Sequence, residues 1–201
     1  MRIILTRHPT TRENKLNIFQ GKAHGIIEED GFGQIKKLIR RLKKEKIDRI
    51  ISSDAKRCQI MTNEILKEIP VPFEFTGLID EESYGIYAGK KYSETEKYIF
   101  EGDTFESKKY QKGESPLELQ KRAGEFLKYL LEKYENSDEN ILIVSHAFFL
   151  SAFIGLILNL NIFDSRNKIW IDSCSVSIIE RNKNKEVRYK LKTLNETNFL
   201  D

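Results

Sequence analysis

Short apolar runs alternate with longer segments of helical period along this chain. Ile3-Ile4-Leu5 is the first run, and it predicts a buried strand over residues 2–6 that stops at Thr6-Arg7-His8-Pro9. A loop through Gly21 and Gly25 follows. In residues 32–44, Phe32, Ile35, Leu38, Ile39 and Leu42 share one face, the mark of an amphipathic helix. A second strand over 49–52 runs into a helix with Ala55, Cys58, Met61, Thr62 and Ile65 on one side. Pro70 and Pro72 punctuate the chain before Phe73-Glu74-Phe75, read as a third strand. Residues 80–113 lack a clear period. Tyr84, Tyr87, Tyr92, Tyr98, Phe100 and Phe105 stand there among charges, a pattern expected of a lid or insertion at about 86–113.

The next helix start is sharp. Ser115 suits an N-cap, Pro116 the first helical position, and Glu118 completes a capping box. Leu119, Ala123, Phe126, Leu127, Leu130, Leu131 and Tyr134 carry the stripe onward. Residues 141–144 are wholly apolar, as a strand buried on both faces requires. They end at Ser145-His146 and lead into an apolar helix over 147–158. Residues 176–179 and 187–191, separated by 181–185, predict an antiparallel hairpin. Alternating β and α elements predict a single α/β domain over 1–201, a three-layer α/β/α sandwich with a mostly parallel sheet.

Composition narrows the function classes. At 39% apolar and 32% charged residues, the chain is neither disordered nor membrane-like. The net charge of +3 gives no argument for nucleic acid. The basic run Lys36-Lys37, Arg40-Arg41 and Lys43-Lys44 is read as the solvated side of the 32–44 helix. The apolar stretch 147–158 is shorter than the roughly 18–20 residues of a membrane span, and the first residues show no signal-peptide pattern. No membrane partner is expected, and the location expected is cytoplasmic. Cys58 and Cys174 make no disulfide framework, and no cysteine or histidine spacing suits zinc.

Chemistry concentrates at the ends of the strand-like runs. Arg7-His8 follows the first, Ser52-Ser53-Asp54-Ala55-Lys56-Arg57 the second, and Val144-Ser145-His146 a later one, while Asp80-Glu81-Glu82 opens the aperiodic stretch. Alone, each has a bland reading as a helix cap, a packed histidine or a solvated acidic loop. Together they supply two histidines, two arginines and a carboxylic acid. Phosphoryl transfer needs in-line attack, neutralised equatorial oxygens and a proton for the leaving oxygen. His8 can attack if neutral, and the neighbouring guanidinium disfavours imidazolium. Arg7 and Arg57 present planar forks suited to phosphate, and Arg57 is expected in the first turn of a helix. His146 can donate to the same group. A carboxylic acid within 80–82, its pKa raised by its like-charged neighbours, can protonate the departing alkoxide.

Over nearly its whole length the chain resembles the histidine phosphatase superfamily, in its phosphoglycerate mutase-like branch. The resemblance rests on Arg7-His8-x-x-Thr11-x-x-Asn14, Gln20-Gly21 with Glu29-x-Gly31-x-x-Gln34, and Ser52-Ser53-Asp54-x-x-Arg57. It continues through Glu81-x-x-x-Gly85, Gly113-Glu114-Ser115 with Arg122, Val144-Ser145-His146 and the ending Leu194-Asn195-x-Thr197-x-Phe199-Leu200. It implies that His8 forms a phosphohistidine, that Arg7, Arg57 and His146 line the phosphate pocket, and that Glu81 is general acid and then base. Asn14, Gln20, Gly21 and Ala147 are implied near the substrate. No metal and no cofactor are implied. The partner expected is a small phosphomonoester, of the phosphoserine or α-ribazole phosphate type, and the protein a monomer or homodimer. The rival readings are a cofactor-dependent phosphoglycerate mutase, whose chains run longer around the lid, and a non-catalytic phospho-ligand module. The sequence departs from the family pattern at Pro9-Thr10, Ala88, Ala147 and His24.

Overall fold

The computed structural model describes residues 1–21, 25–97, 100–182 and 188–201. His24, Tyr98 and Val187, together with residues 183–185 of the expected turn, lie outside the described residues. The elements are β1 (Arg2–Arg7), α1 (Arg12–Lys15), α2 (Glu29–Leu42), β2 (Arg49–Ser53), α3 (Lys56–Glu68), β3 (Phe73–Thr76), β4 (Phe100–Glu101) and β5 (Lys109–Tyr110). Then come α4 (Pro116–Tyr134), β6 (Asn140–Ser145), α5 (Ala147–Ile157), α6 (Ile162–Lys168), β7 (Val176–Arg181) and β8 (Tyr189–Glu196).

Six strands form one sheet in the order β3-β2-β6-β1-β7-β8. Neighbours from β3 to β1 run parallel, while β7 is antiparallel to both β1 and β8. The sheet is mixed and mostly parallel, as the alternating pattern predicts. Strand side chains divide by parity. Ile3, Leu5, Ile51, Ile141, Ile143 and Ile179 join one core with Leu119, Phe126, Phe149 and Phe153 of α4 and α5. Ile4, Ile50, Leu142, Val144 and Ile178 join the other with Ile35, Leu38, Cys58 and Met61 of α2 and α3. Period-2 alternation on strands buried from both sides thus builds the three layers. The parallel register pairs Arg7 with Ser145 and Ser52 with Val144. The carboxyl ends of β1, β2 and β6 therefore lie side by side, the edge where open α/β sheets place ligands.

Element boundaries differ from the sequence reading where glycine or tertiary contact intervenes. Helix α2 begins at Glu29 rather than residue 32, because its acidic first turn suits the helix dipole although Gly31 and Gly33 weaken the pattern. Helices α1 and α6 were not legible as helices. Each is under eight residues, with an N-cap at Thr11 or Asn161. The capping box at Ser115 is present, with Ser115 Oγ accepting from Glu118 N and Glu118 Oε2 from Ser115 N. Strand β8 extends to Glu196, past the residue 191 expected. The aperiodic stretch holds short 3₁₀ turns at Gly85–Tyr87 and Tyr92–Lys97 and the small β4–β5 ribbon. Gly85 has φ +55°, and a Cβ there would lie 2.0 Å from Gln111 O, so only glycine lets this segment press against the approach to α4.

Candidate active site

His8 leaves the end of β1 nearly buried, at 2% exposure. Its backbone N–H donates to Ser145 O of the neighbouring strand at 2.9 Å. Its Nδ1 lies 2.7 Å from Pro9 O. A carbonyl only accepts, so Nδ1 carries the proton and Nε2 keeps the lone pair. The Pro9 departure therefore costs no ring contact, because the turn uses its carbonyl rather than the missing N–H. Thr10 is held in turn by Gln34, whose Oε1 accepts from Thr10 N at 2.8 Å and whose Nε2 donates to Thr10 Oγ1 at 3.1 Å. Burial, then Arg57, then Arg7, push the His8 pKa well below 6.5. The guanidinium effect expected from the sequence is thus present, with burial the larger cause.

Arg57 stands in the first turn of α3 and is 1% exposed. Its Nη2 donates to Gly21 O at 2.6 Å and approaches His146 Nδ1 at 2.9 Å. Gly21 has φ +49°, and a Cβ there would meet Glu82 O at 3.2 Å, so this residue lets the loop turn its carbonyl onto the guanidinium. Arg7 donates from Nη1 to Ile171 O at 2.8 Å, while its buried Nε has no partner among the described residues.

His146 caps the N-terminus of α5, and its ring centroid lies 5.2 Å from that of His8. A relay sets its tautomer. Ser53 Oγ donates to Asp80 Oδ1 at 2.6 Å, and His146 Nε2 lies 2.8 Å from Ser53 Oγ. Arg57 can only donate, so Nδ1 accepts from it, Nε2–H donates to Ser53, and Ser53 donates to Asp80. Both ring nitrogens are engaged, Nδ1 with Arg57 and Nε2 with Ser53 Oγ and, at 3.6 Å, with Cys58 Sγ. Burial followed by the Arg57 charge pushes its pKa well below 6.5, so it has a single proton to give.

The acidic triplet is not a solvated loop: Asp80, Glu81 and Glu82 are 3%, 8% and 3% exposed. Arg122 of α4 holds it in place. Its guanidinium donates to Leu78 O, Asp80 O and Glu81 O, and bidentately to Glu114 at 2.9 and 2.7 Å. Glu81 Oε1 accepts from Glu82 N, Phe148 N and Phe149 N at 3.1–3.2 Å, seated on the start of α5. Its Oε2 takes only a 3.4 Å contact from Phe148 N. Burial pushes the Glu82 pKa up to about 7, with the charge of Glu81 a lesser contributor.

The residues expected near the substrate divide. Gln20 is buried, with its Oε1 unpartnered among the described residues; a Cβ on Gly25 would lie 2.3 Å from that oxygen and 3.2 Å from Arg57 Cδ. Ala147 opens α5 between His146 and Phe148. Asn14 instead serves a local purpose, its Oδ1 accepting from Thr11 N and Thr11 Oγ1 in a capping box. Arg166 enters the site unforeseen, and Asp80, expected only as one of three candidate acids, enters it as the partner of Ser53; both partners lie far away in sequence. Among the described residues, no group of three or more His, Cys, Asp or Glu side chains is placed to hold a metal ion, and no helix is long and apolar enough to cross a membrane.

Known proteins resemble this chain in sequence and in fold. A probable phosphatase of Schizosaccharomyces pombe is 37% identical over 100 residues, which cover 49% of this chain and 48% of that protein, so the match spans about half the length of the yeast relative. A putative phosphoserine phosphatase 2 of Hydrogenobacter thermophilus is 28% identical over 99% of this chain and 98% of its own length. The fold matches that of the α-ribazole phosphatase from Shigella flexneri, with a TM-score of 0.85 at 22% identity over 98% of this chain and 96% of that one. The profile of the histidine phosphatase superfamily (branch 1) matches residues 3–197, and the chain belongs to that family.

Proposed function

We propose that the chain is a metal-independent phosphomonoesterase that hydrolyses a small cytoplasmic metabolite through a phosphohistidine. The observation that carries the reading is His8: buried and neutral, with Nδ1–H fixed on Pro9 O and the Nε2 lone pair beside two arginines. The whole-length resemblance to a putative phosphoserine phosphatase and the fold shared with an α-ribazole phosphatase support a substrate of one of those types.

In the first step His8 Nε2 attacks phosphorus and the bond to the leaving oxygen breaks. Arg7 and Arg57 hold the equatorial oxygens, where charge is spread in the transition state. Glu81 gives its proton to the departing alkoxide. Anchoring of Oε1 on α5 leaves Oε2 as the oxygen suited to carry that proton. In the second step Glu81 takes a proton from water, the water oxygen attacks phosphorus, and the P–N bond breaks to return neutral His8 and release phosphate. Rapid quench with a labelled ester tests this. An acid-labile, base-stable phosphoenzyme is expected, absent in His8→Ala; undiminished turnover in that variant overturns the mechanism.

A further inference from the structure

The ending Leu194-Asn195-x-Thr197 forms part of the family resemblance, yet no step of the hydrolysis uses it. The fold gives Asn195 a task behind Arg7. Strand β8 bulges at this point: Val176 pairs with Glu196 and Ile178 with Thr193, so Leu194 and Asn195 together stand opposite Ser177 alone. Asn195 takes φ +53°, a left-handed conformation that asparagine tolerates better than most residues, and its N–H donates to Ser177 Oγ at 2.9 Å. A bulge re-aims a side chain. Here it brings the Asn195 amide to Asp172, in the loop between α6 and β7. Asn195 Oδ1 accepts from Asp172 N and Nδ2 donates to Asp172 Oδ2, both at 2.7 Å. Trp170 Nε1 donates to the other carboxylate oxygen at 2.8 Å.

That loop holds Arg7 twice. Cys174 N donates to Arg7 O at 3.0 Å, and Ile171 O accepts from Arg7 Nη1 at 2.8 Å. Ile171 C=O and Asp172 N–H are the two ends of one planar peptide group and point in opposite directions. Asn195 grips the N–H end, and Arg7 rests on the C=O end. A rotation of that plane would turn the acceptor away from Arg7. The Asp172 carboxylate also lies within electrostatic reach of Arg7, and its two donors keep it from drawing the guanidinium into a direct ion pair. Cys174 closes the loop at φ +55°, a strained conformation for a residue other than glycine, which persists where the surroundings impose it. A guanidinium grips phosphate through two parallel bonds only when its plane is set.

We propose that Asn195 is a positioning residue for Arg7, fixing the Ile171–Asp172 peptide and through it the plane in which the guanidinium meets the phosphoryl oxygens. The assignment rests on the phosphatase reading, in which Arg7 is a phosphate ligand, and goes beyond it.

Calorimetric binding of inorganic phosphate and kcat/KM for p-nitrophenyl phosphate test it. Asn195→Gly leaves the backbone conformation accessible and removes both amide bonds. It should weaken phosphate binding and lower kcat/KM by about tenfold, the scale of one charge-assisted hydrogen bond. A role in stability alone would cost the same with or without Arg7. Positioning would not, so in an Arg7→Ala background Asn195→Gly should lower kcat/KM by no more than about twofold further. An exchange of the two side chains separates geometry from folding. Asn195→Asp alone sets two carboxylates against each other and should lose as much as Asn195→Gly. Adding Asp172→Asn restores both bonds with donor and acceptor exchanged, and should return phosphate affinity to within about twofold of wild type. Equal losses from Asn195→Gly with and without Arg7, or an exchanged pair no better than Asn195→Asp, overturn the proposal. The exchanged pair decides even if Asn195→Gly does not fold. If Arg7→Ala leaves phosphate affinity and turnover intact, the reading of Arg7 as a phosphate ligand fails. If Arg7→Ala cripples both and Asn195→Gly changes neither, only the positioning role fails.

Discussion

Ser53→Ala cuts the relay that fixes the tautomer of His146. The hydroxyl is fully buried and makes three bonds: to Asp80 at 2.6 Å, from His146 at 2.8 Å and from Ala55 N at 3.1 Å. The first is charge-assisted, worth about 2 kcal/mol, and the others about 1 kcal/mol each. Their losses do not simply add, so we expect a destabilisation of about 3 kcal/mol. For a chain of this size that lowers Tm by roughly 6–12 °C. Urea unfolding followed by circular dichroism, with the slope checked for constancy, measures it. The functional consequence is more specific. Without the Ser53 hydroxyl, the Nε2–H of His146 keeps only the weak acceptor Cys58 Sγ at 3.6 Å, which lowers the cost of moving its proton to Nδ1. There it faces the N–H of Arg57, two donors opposed. Arg57 should lose its orientation, and phosphoenzyme formation should slow for good and poor leaving groups alike. Ser53→Thr retains the hydroxyl and should restore both stability and rate. A loss under about 1 kcal/mol with normal phosphoenzyme formation would refute the relay, because the energies above leave no room for so small an effect.

The other predictions probe separate parts of the site. Glu81→Gln should cripple hydrolysis of an alkyl phosphate while sparing phosphoenzyme formation from p-nitrophenyl phosphate; an equal defect on both esters counts against Glu81 as the acid. Activity should survive exhaustive chelation, and restoration of an EDTA-treated enzyme by Mg²⁺ or Zn²⁺ would contradict the metal-free reading. Phosphate release should far exceed interconversion of 2- and 3-phosphoglycerate; rapid interconversion dependent on 2,3-bisphosphoglycerate favours the mutase instead. Between pH 6.5 and 5.5 stability should fall: His8 and His146 stay neutral when folded but take protons when unfolded, whereas Glu82, raised to about 7, acts in the opposite sense. Two partly titrating histidines against one carboxyl leave a net loss of about 0.9 kcal/mol over that pH unit, steepest at its acid end, and a stability that is flat or rises on acidification rejects these burial-driven shifts.

How much was legible in the sequence depended on how local the cause was. Strands β1 and β6 could be read because burial on both faces demands an unbroken apolar run, and α4 because its capping box lies within four residues. His8, Arg57 and His146 could be nominated because each follows a strand whose carboxyl end parallel pairing brings to one edge. The resemblance added Glu81 and Arg122 by position. Only the folded geometry reveals what Arg122 does there, which is to tie three carbonyls of residues 78–81 to Glu114.

What stayed hidden was the direction of protons and the distant halves of pairs. Asp80 meets Ser53 across 27 residues, Ser53 meets His146 across 93, and Glu82 meets Arg166 across 84. Nothing in the spacing of three consecutive acids tells which one faces a serine, which sits on a helix start and which pairs with a guanidinium. Alternation of the chain does not settle it either, since all three are buried. The assignment comes from the neighbours: β2 supplies the hydroxyl for Asp80, α5 the N–H groups for Glu81, and α6 the cation for Glu82. Helix α6 itself, seven residues long with a weak period, was the element least readable in advance. Three acids that lie side by side in sequence are therefore given different partners only by folding. Substituting Asp80, Glu81 and Glu82 one at a time should accordingly give three different phenotypes: loss of stability with a leaving-group-independent rate defect, a leaving-group-dependent rate defect, and loss of the ion pair with Arg166 that lowers stability and leaves the leaving-group dependence unchanged. If all three give one common phenotype, the loop acts as a single acidic patch and the division of roles drawn from these contacts is wrong.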